Sequence, residues 1–444
     1  MAVTIPALQV TARDLELWAG QRAAQDQLPR LVRDLILATR PLPEVIMMVA
    51  GEGVQRGGWD GIVQSEGAPP FVPAGTSGWE MSVRSDIARK AQDDYDKRGA
   101  EPLVLNPTET TFVFATARAW HGGGDWCAIR RTDGVWRDVR VIDAYQLEAW
   151  LSLAPAVHLR IAQELGKRPP GVADLASVWT DLRESTTPHL SASLIIAGRN
   201  GAAEEVRQLI MRDENVVSVA GDSREEAFAF LAAAIDELPE PERSGILSRA
   251  IVVWDPSHWT SLAVRDEPLI LVPMFENRKH AGGVARGGHQ LVLPLGRDEG
   301  RSSQTAVQIG RPHRSALTEE LESLGLPRYR AQELAGVGRR SLLALKRRLA
   351  IARDLEQPAW SRPEHAGDLL PTLFAGTWED SNEKDRQVVA ALARKPYEDW
   401  VRVIHRWANE SDPPVRLVDH GCSRPGKMHG HFSGTSSASM IWKP

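Results

Sequence analysis

The sequence predicts an α/β protein built from several domains. Runs of strand length such as Thr110–Thr116, Val216–Ala220 and Ala250–Trp254 alternate with segments of helical periodicity. Many of these runs are continuously apolar rather than alternating, the pattern of strands covered on both faces. With 444 residues and 42% hydrophobic content, the chain can fill two to four cores.

Charge and cysteine content narrow the class. The net charge is −5, so the whole molecule does not bind nucleic acid by bulk electrostatics, and any DNA contact needs a local basic face. Cys127 and Cys422 are the only cysteines, too few and too far apart for a disulfide scaffold, which points to a reducing compartment. There is no basic-then-apolar N-terminal signal and no apolar run of about 18 residues. A cytoplasmic protein with no membrane partner is the expectation.

Residues 11–40 carry apolar side chains at helical spacing, from Leu15 and Trp18 to Leu35 and Ile36, and Pro41 and Pro43 end the pattern. The stretch from Gly51 to Arg98 organises the rest. It opens Gly51-Glu52-Gly53-Val54-Gln55-Arg56-Gly57-Gly58-Trp59-Asp60-Gly61 and runs into Ile62-Val63. Turn residues Pro69, Pro70, Pro73, Gly75 and Gly78 follow, then an extended run from Trp79 to Val83 that holds Glu80. A charged helix carries Lys90, Asp93, Asp94, Tyr95, Lys97 and Arg98. Asp60 and Glu80 on neighbouring strands can converge on one hard cation such as Mg²⁺, which favours carboxylate and water oxygens. A cation held this way can generate hydroxide and steady a scissile phosphate, and a nearby lysine would assist.

After the helix, Thr110–Thr116 reads as a buried strand. His121–Cys127 reads as a loop with too few ligands for a metal. Trp136–Ile142 alternates, and Asp143 can cap a helix over Ala144–Leu153. The first domain therefore covers residues 1–166, and Lys167-Arg168-Pro169-Pro170-Gly171 marks its boundary.

The Gly51–Gly61, Trp79–Ser82 and Lys90–Arg98 segments together resemble a bacterial subgroup of the PD-(D/E)xK restriction-endonuclease-like superfamily. The resemblance implies that Asp60 and Glu80 bind Mg²⁺ or Mn²⁺ and that the first domain is an endonuclease acting on DNA, in defence against phage. One departure is plain. The lysine that usually follows two places after the glutamate is Ser82 here. The superfamily sometimes carries that lysine on the next helix, so Lys90 and Lys97 become the candidates; seven residues apart, they share a helix face. Gln55 lies near the same site in the sequence. The rival expectation is a nuclease-like fold without activity that serves as a sensor or scaffold.

From residue 172 to 312 strands and helices alternate. Leu194–Arg199 leads into a helix over Ala202–Arg212; Val216–Ala220 is a strand, and Asp222-Ser223 caps a helix over Arg224–Leu238. Ala250–Trp254, Leu269–Val272, Leu291–Leu295 and Ala306–Ile309 are further strands. This Rossmann-like segment is similar to a STAND-type P-loop NTPase. Arg199 stands in its Gly-Arg element, and Ile251–Asp255 looks like a Walker B strand. Gly221-Asp222-Ser223-Arg224-Glu225-Glu226 lacks the glycine-rich loop and its lysine, so the domain is expected to be degenerate and not to use ATP. A docking surface for protein partners, or for a second copy through residues 172–356, is its expected role.

Residues 313–356 read as a helical, lid-like region in which Arg339, Arg340, Lys346, Arg347, Arg348 and Arg353 cluster. The cluster could meet DNA phosphates, but a solvated helical face is the simpler account. Residues 363–420 resemble a winged-helix module. Residues 421–444 have no periodicity and are expected to form a disordered tail. His420, Cys422, His429 and His431 match no common zinc spacing.

Overall fold

A capping box opens the first helix. The Thr11 hydroxyl accepts the Asp14 N–H at 3.3 Å, and the Asp14 carboxylate accepts the Thr11 N–H at 2.9 Å. The computed structural model describes residues 10–48, 58–275, 287–296, 306–408, 415–419 and 428–432. The helical pattern predicted over 11–40 divides into α1 (Ala12–Ala19) and α2 (Arg22–Ala38), with Gly20 and Gln21 between them.

A five-stranded mixed sheet follows, with β1 (Val45–Met48), β2 (Gly61–Ser65), β3 (Gly75–Ser82), β4 (Thr110–Thr116) and β5 (Asp138–Ile142) in sequential order. β1, β2 and β3 are antiparallel neighbours, whereas β3, β4 and β5 run parallel. Parallel pairs need crossovers, and α3 (Ile87–Ala100) and α4 (Gly123–Thr132) supply them. The sheet is covered on both faces. On one, Val63, Trp79, Met81, Val113 and Ala115 form a core with α1, α2, α5 (Ala144–Leu153) and α6 (Pro155–Glu164). On the other, Phe112, Phe114 and Val139 pack with Trp59, Trp136, Cys127 and the α3 residues Ala91 and Tyr95. Successive strand residues point to opposite faces. Trp79 and Met81 therefore enter the first core, and Glu80 between them faces α3.

Asp143 caps α5 as expected; its carboxylate accepts the N–H groups of Tyr145 and Gln146 at 3.0 and 3.2 Å. The loop predicted over His121–Cys127 is instead mostly helix, because α4 begins at Gly123 and buries Cys127 against the aromatic core. Burial pushes the Cys127 thiol up to about 11.

The chain forms two compact units. One comprises Met1–Val178, Asp213–Val216 and Glu237–Val292, and the other Trp179–Arg212, Val217–Asp236 and Leu293–Pro444. In the first unit β6 (Val172–Asp174) pairs antiparallel with β8 (Ala250–Val253), which runs parallel to β9 (Ile270–Pro273). Arg160 of α6 fastens this region. Its guanidinium pairs with Asp34 of α2, reaches Asp174 of β6 at 3.1 Å and donates to the Leu247 carbonyl at 3.2 Å. These bonds bracket the 167–171 segment from both sides.

In the second unit β7 (Val216–Ala220) runs parallel to β11 (Val307–Gln308). The run Leu194–Arg199, which leads into the helix over Asn200–Met211, itself begins in a short helix over Ala192–Ile196; Ser191 accepts the Leu194 N–H at 3.1 Å and opens it. Helices cover Arg314–Ser323, Arg328–Gly338 and Leu342–Leu349. Beyond them lie helices over Ala366–Ala375, Glu383–Ala393 and Tyr397–Ala408, with strands β12 (Thr377–Glu379), β13 (Val415–Asp419) and β14 (Met428–Phe432). Those strands form an antiparallel sheet in the order β12-β14-β13. β14 belongs to the segment expected as a tail; the rest of that segment, including Cys422, and the preceding His420 lie outside the described residues. Trp360, Trp378, Trp400 and Trp407 fill this small core. With Trp59, Trp120, Trp126 and Trp136 around α3, they give the high tryptophan content a physical use, as large side chains closing small cores. Among the described residues no helix is long and apolar enough to cross a membrane.

Candidate active site

The β2–β3 register builds the site. Gly61 pairs with Trp79, and Ile62 with Gly78, so Asp60 at the entry to β2 lies opposite Glu80. Residues opposed across an antiparallel pair share a face. The shared face here is the one under α3. Asp60 is half-buried, and its Oδ2 accepts the Met81 N–H at 2.7 Å. Glu80 is only 5% exposed.

Four residues after β3, helix α3 begins and lays one stripe over the carboxylate pair. Lys90, Asp94 and Arg98, spaced i, i+4 and i+8, form that stripe. Lys90 Nζ meets Asp94 Oδ1 at 2.5 Å. Asp94 is 5% exposed, and its Oδ2 has no hydrogen-bond partner among the described residues. Arg98, 2% exposed, pairs through Nε with Glu80 Oε1 and donates from Nη2 to the Gly58 carbonyl. Its guanidinium also lies over the Trp59 ring, 5.0 Å from the centroid.

The structure thus brings together three of the residues singled out from sequence, Asp60, Glu80 and Lys90. Lys97 shares the Lys90 side of the helix, but it is exposed and forms no ion pair with a described residue. Gln55 lies outside the described residues. Asp94 and Arg98 are the members that sequence reasoning passed over. The four-residue spacing from Lys90 was the signal for both.

Electrostatics follow from this crowding. Burial and the neighbouring Asp60 charge push Glu80 up to about 8, and the Arg98 hydrogen bond offsets only part of that rise. Asp60 is raised too, chiefly by burial and then by Asp94, against the opposing pull of the Met81 N–H, Lys90 and Arg98. A buried carboxylate pair held short of ionisation favours a cation. Two carboxylates do not make a full ligand set, and among the described residues no group of three or more His, Cys, Asp or Glu is set to hold a metal. That donor set fits Mg²⁺, which keeps several of its waters and takes one or two carboxylates, better than a closed structural site.

A pH dependence follows. An exposed glutamate ionises near 4.5, whereas Glu80 in the folded chain holds its proton to about 8. Between those values the folded chain keeps a proton that the unfolded chain has lost, so stability falls as pH rises through the window. In chelator-treated protein, thermal midpoints are expected to decline from pH 5 to pH 8, and Glu80→Gln should flatten much of the decline. An identical decline in the variant would remove Glu80 as its source.

Gly78 sets the depth of the site. A Cβ there would meet the Trp59 ring and Leu105 at 2.8 Å, so glycine leaves the space that Trp59 occupies beneath Arg98. Gly78→Ala is expected to cost about 1–3 kcal/mol by overpacking, measured by urea unfolding. A loss below about 0.5 kcal/mol would show that Trp59 moves aside freely.

In the second unit, the segment where a phosphate loop would fall is occupied by the chain's own groups. Ser223 Oγ accepts the Glu226 N–H at 3.1 Å and caps the helix Arg224–Asp236. Arg199 pairs with Glu226 at 2.9 Å, and Arg311 with Asp222 at 3.1 Å. In the first unit, Asp255 accepts the Ser257 N–H at 2.8 Å and starts a short turn. Arg340 donates to its own helix at the Gly336 carbonyl, 3.2 Å away.

Neither protein-family models nor curated proteins give a match to this chain.

Proposed function

We propose that the first domain is a Mg²⁺- or Mn²⁺-dependent DNA endonuclease with a PD-(D/E)xK-like core. The observation that carries this reading is the opposition of Asp60 and Glu80 across β2 and β3, under a helix that offers Lys90. When bound, the cation supplies an activated water and stabilises charge on the phosphate. Asp60 and Glu80 hold the cation, and Lys90, restrained by Asp94, provides positive charge toward the scissile phosphate. The reading extends to the rest of the chain as a degenerate STAND-type domain over 172–312, a lid-like helical region and a winged-helix-like module, in a cytoplasmic anti-phage protein. The succession helix, β12, two helices, β13 and β14, with the strands ordered β12-β14-β13 in one sheet, supports the winged-helix part.

The test is cation binding and cleavage with one protein. Calorimetric titration with Mn²⁺ should show a site that Glu80→Gln removes, and supercoiled plasmid should be cut only with Mg²⁺ or Mn²⁺ present. A specific feature favours a second reading, a non-catalytic sensor or scaffold: Ser82 stands where a lysine is usual, and Arg98 already engages Glu80. Absence of cleavage on DNA and RNA with either cation would select that reading.

A further inference from the structure

We infer that Arg98 is a positioning residue that clamps the two carboxylate-bearing segments of this site to each other. The inference rests on the metal-binding reading of Asp60 and Glu80. Its basis is the way one guanidinium addresses both β3 and the segment that leads into β2. Nε holds Glu80 Oε1 on β3, and Nη2 holds the carbonyl of Gly58, two residues before Asp60. Between those anchors the Trp59 ring lies under the guanidinium plane, 5.0 Å from its carbon. Gly78 leaves the space for that ring, so the strand opposite has been shaped around the clamp.

The fork geometry matters more than the charge. Guanidinium offers several N–H groups in a rigid plane, and two of them can serve acceptors on different segments at once. A lysine ammonium at the same place could pair with Glu80, but it would not reproduce the contact with Trp59 together with both bonds. With Oε1 engaged by Arg98, Glu80 Oε2 accepts no hydrogen bond from a described residue and remains for a cation. This is the role outer partners play at metal sites, where they hold a ligating group in one orientation.

A purely structural arginine would cement α3 to the sheet and do nothing for the cation, and metal affinity separates the two roles. Full-length wild type, Arg98→Lys, Arg98→Gln and Glu80→Gln are titrated with Mn²⁺ by calorimetry, each at a temperature where circular dichroism shows it folded. Arg98→Gln should weaken Mn²⁺ binding about 10- to 100-fold, and Arg98→Lys should restore only part of it. If Arg98→Gln does not fold, Arg98→Lys decides. Binding within twofold of wild type in the folded Arg98 variants, with binding lost in Glu80→Gln, overturns the clamp and leaves the metal site standing. A wild type that takes up no Mn²⁺, or takes it up equally after Glu80→Gln, overturns the metal reading and this inference with it.

Discussion

Asp60→Ala is expected to reduce Mg²⁺-dependent cleavage of supercoiled plasmid by about 10³-fold or more, to the level of a no-enzyme control. Asp60 does two things, and the variant must not confuse them. Its Oδ2 accepts the Met81 N–H at 2.7 Å, which ties the start of β2 to β3. Alanine leaves that N–H without its acceptor, at a cost of about 1–3 kcal/mol. Asp60→Asn keeps an oxygen for Met81 and removes the charge. It should therefore lose cleavage to the same degree while its thermal midpoint stays close to wild type. Removal of the Asp60 charge also relieves part of the crowding that raises Glu80. Cleavage by either variant within about threefold of wild type would take Asp60 out of the reaction.

The largest expected effect on stability belongs to Arg160. Its guanidinium is enclosed between Asp34 and Asp174; burial opposes its charge, and the two carboxylates hold it positive. Asp174 is fully buried, and its Oδ2 already has no hydrogen-bond partner among the described residues. Removing the cation leaves two buried carboxylates to face each other. Arg160→Ala should cost about 3–5 kcal/mol, the scale for breaking a buried pair from one side. Hydrogen exchange should quicken first in α2, α6 and β6, the elements the guanidinium joins. Exchange unchanged in those elements, or a loss under about 1 kcal/mol, would mean that the carboxylates find other partners or take up protons at little cost.

Much of the architecture is written in local pattern. Val216–Ala220 and Thr110–Thr116 are strands with the bounds their composition suggests, and Asp143 and Ser223 cap the helices they precede. These features depend on neighbours in sequence, so sequence alone exposes them. The departures have a common cause. Leu194–Ala197, apolar throughout and too short to carry a period, has no assignment from pattern alone, and Ser191 settles it as a helix. Gly122-Gly123-Gly124 reads as a loop, yet Gly123 and Gly124 are the first residues of α4. Burial of Cys127 against Phe112, Phe114 and Tyr95, which only the folded sheet provides, decides that outcome.

The site follows the same division. The opposition of Asp60 and Glu80 could be anticipated from two strands and a turn. Lys97 and Arg98 are adjacent, equally basic and on one helix, yet one is exposed and the other is enclosed. Which of them turns inward depends on how α3 docks, and that is fixed by Ala91 and Tyr95 against the aromatic core.

Ser82 lies on the face of Glu80, two places further along β3, and its Oγ accepts the Arg84 N–H at 3.2 Å. A cation attached there would be locked to the acidic pair by a single strand. A cation carried by α3 is locked only as firmly as the helix is seated. On the proposed reading, any ligand that lifts or slides α3 by a fraction of a turn would disarm the chemistry without touching either acid, which gives a defence enzyme an off-state by displacement of one helix.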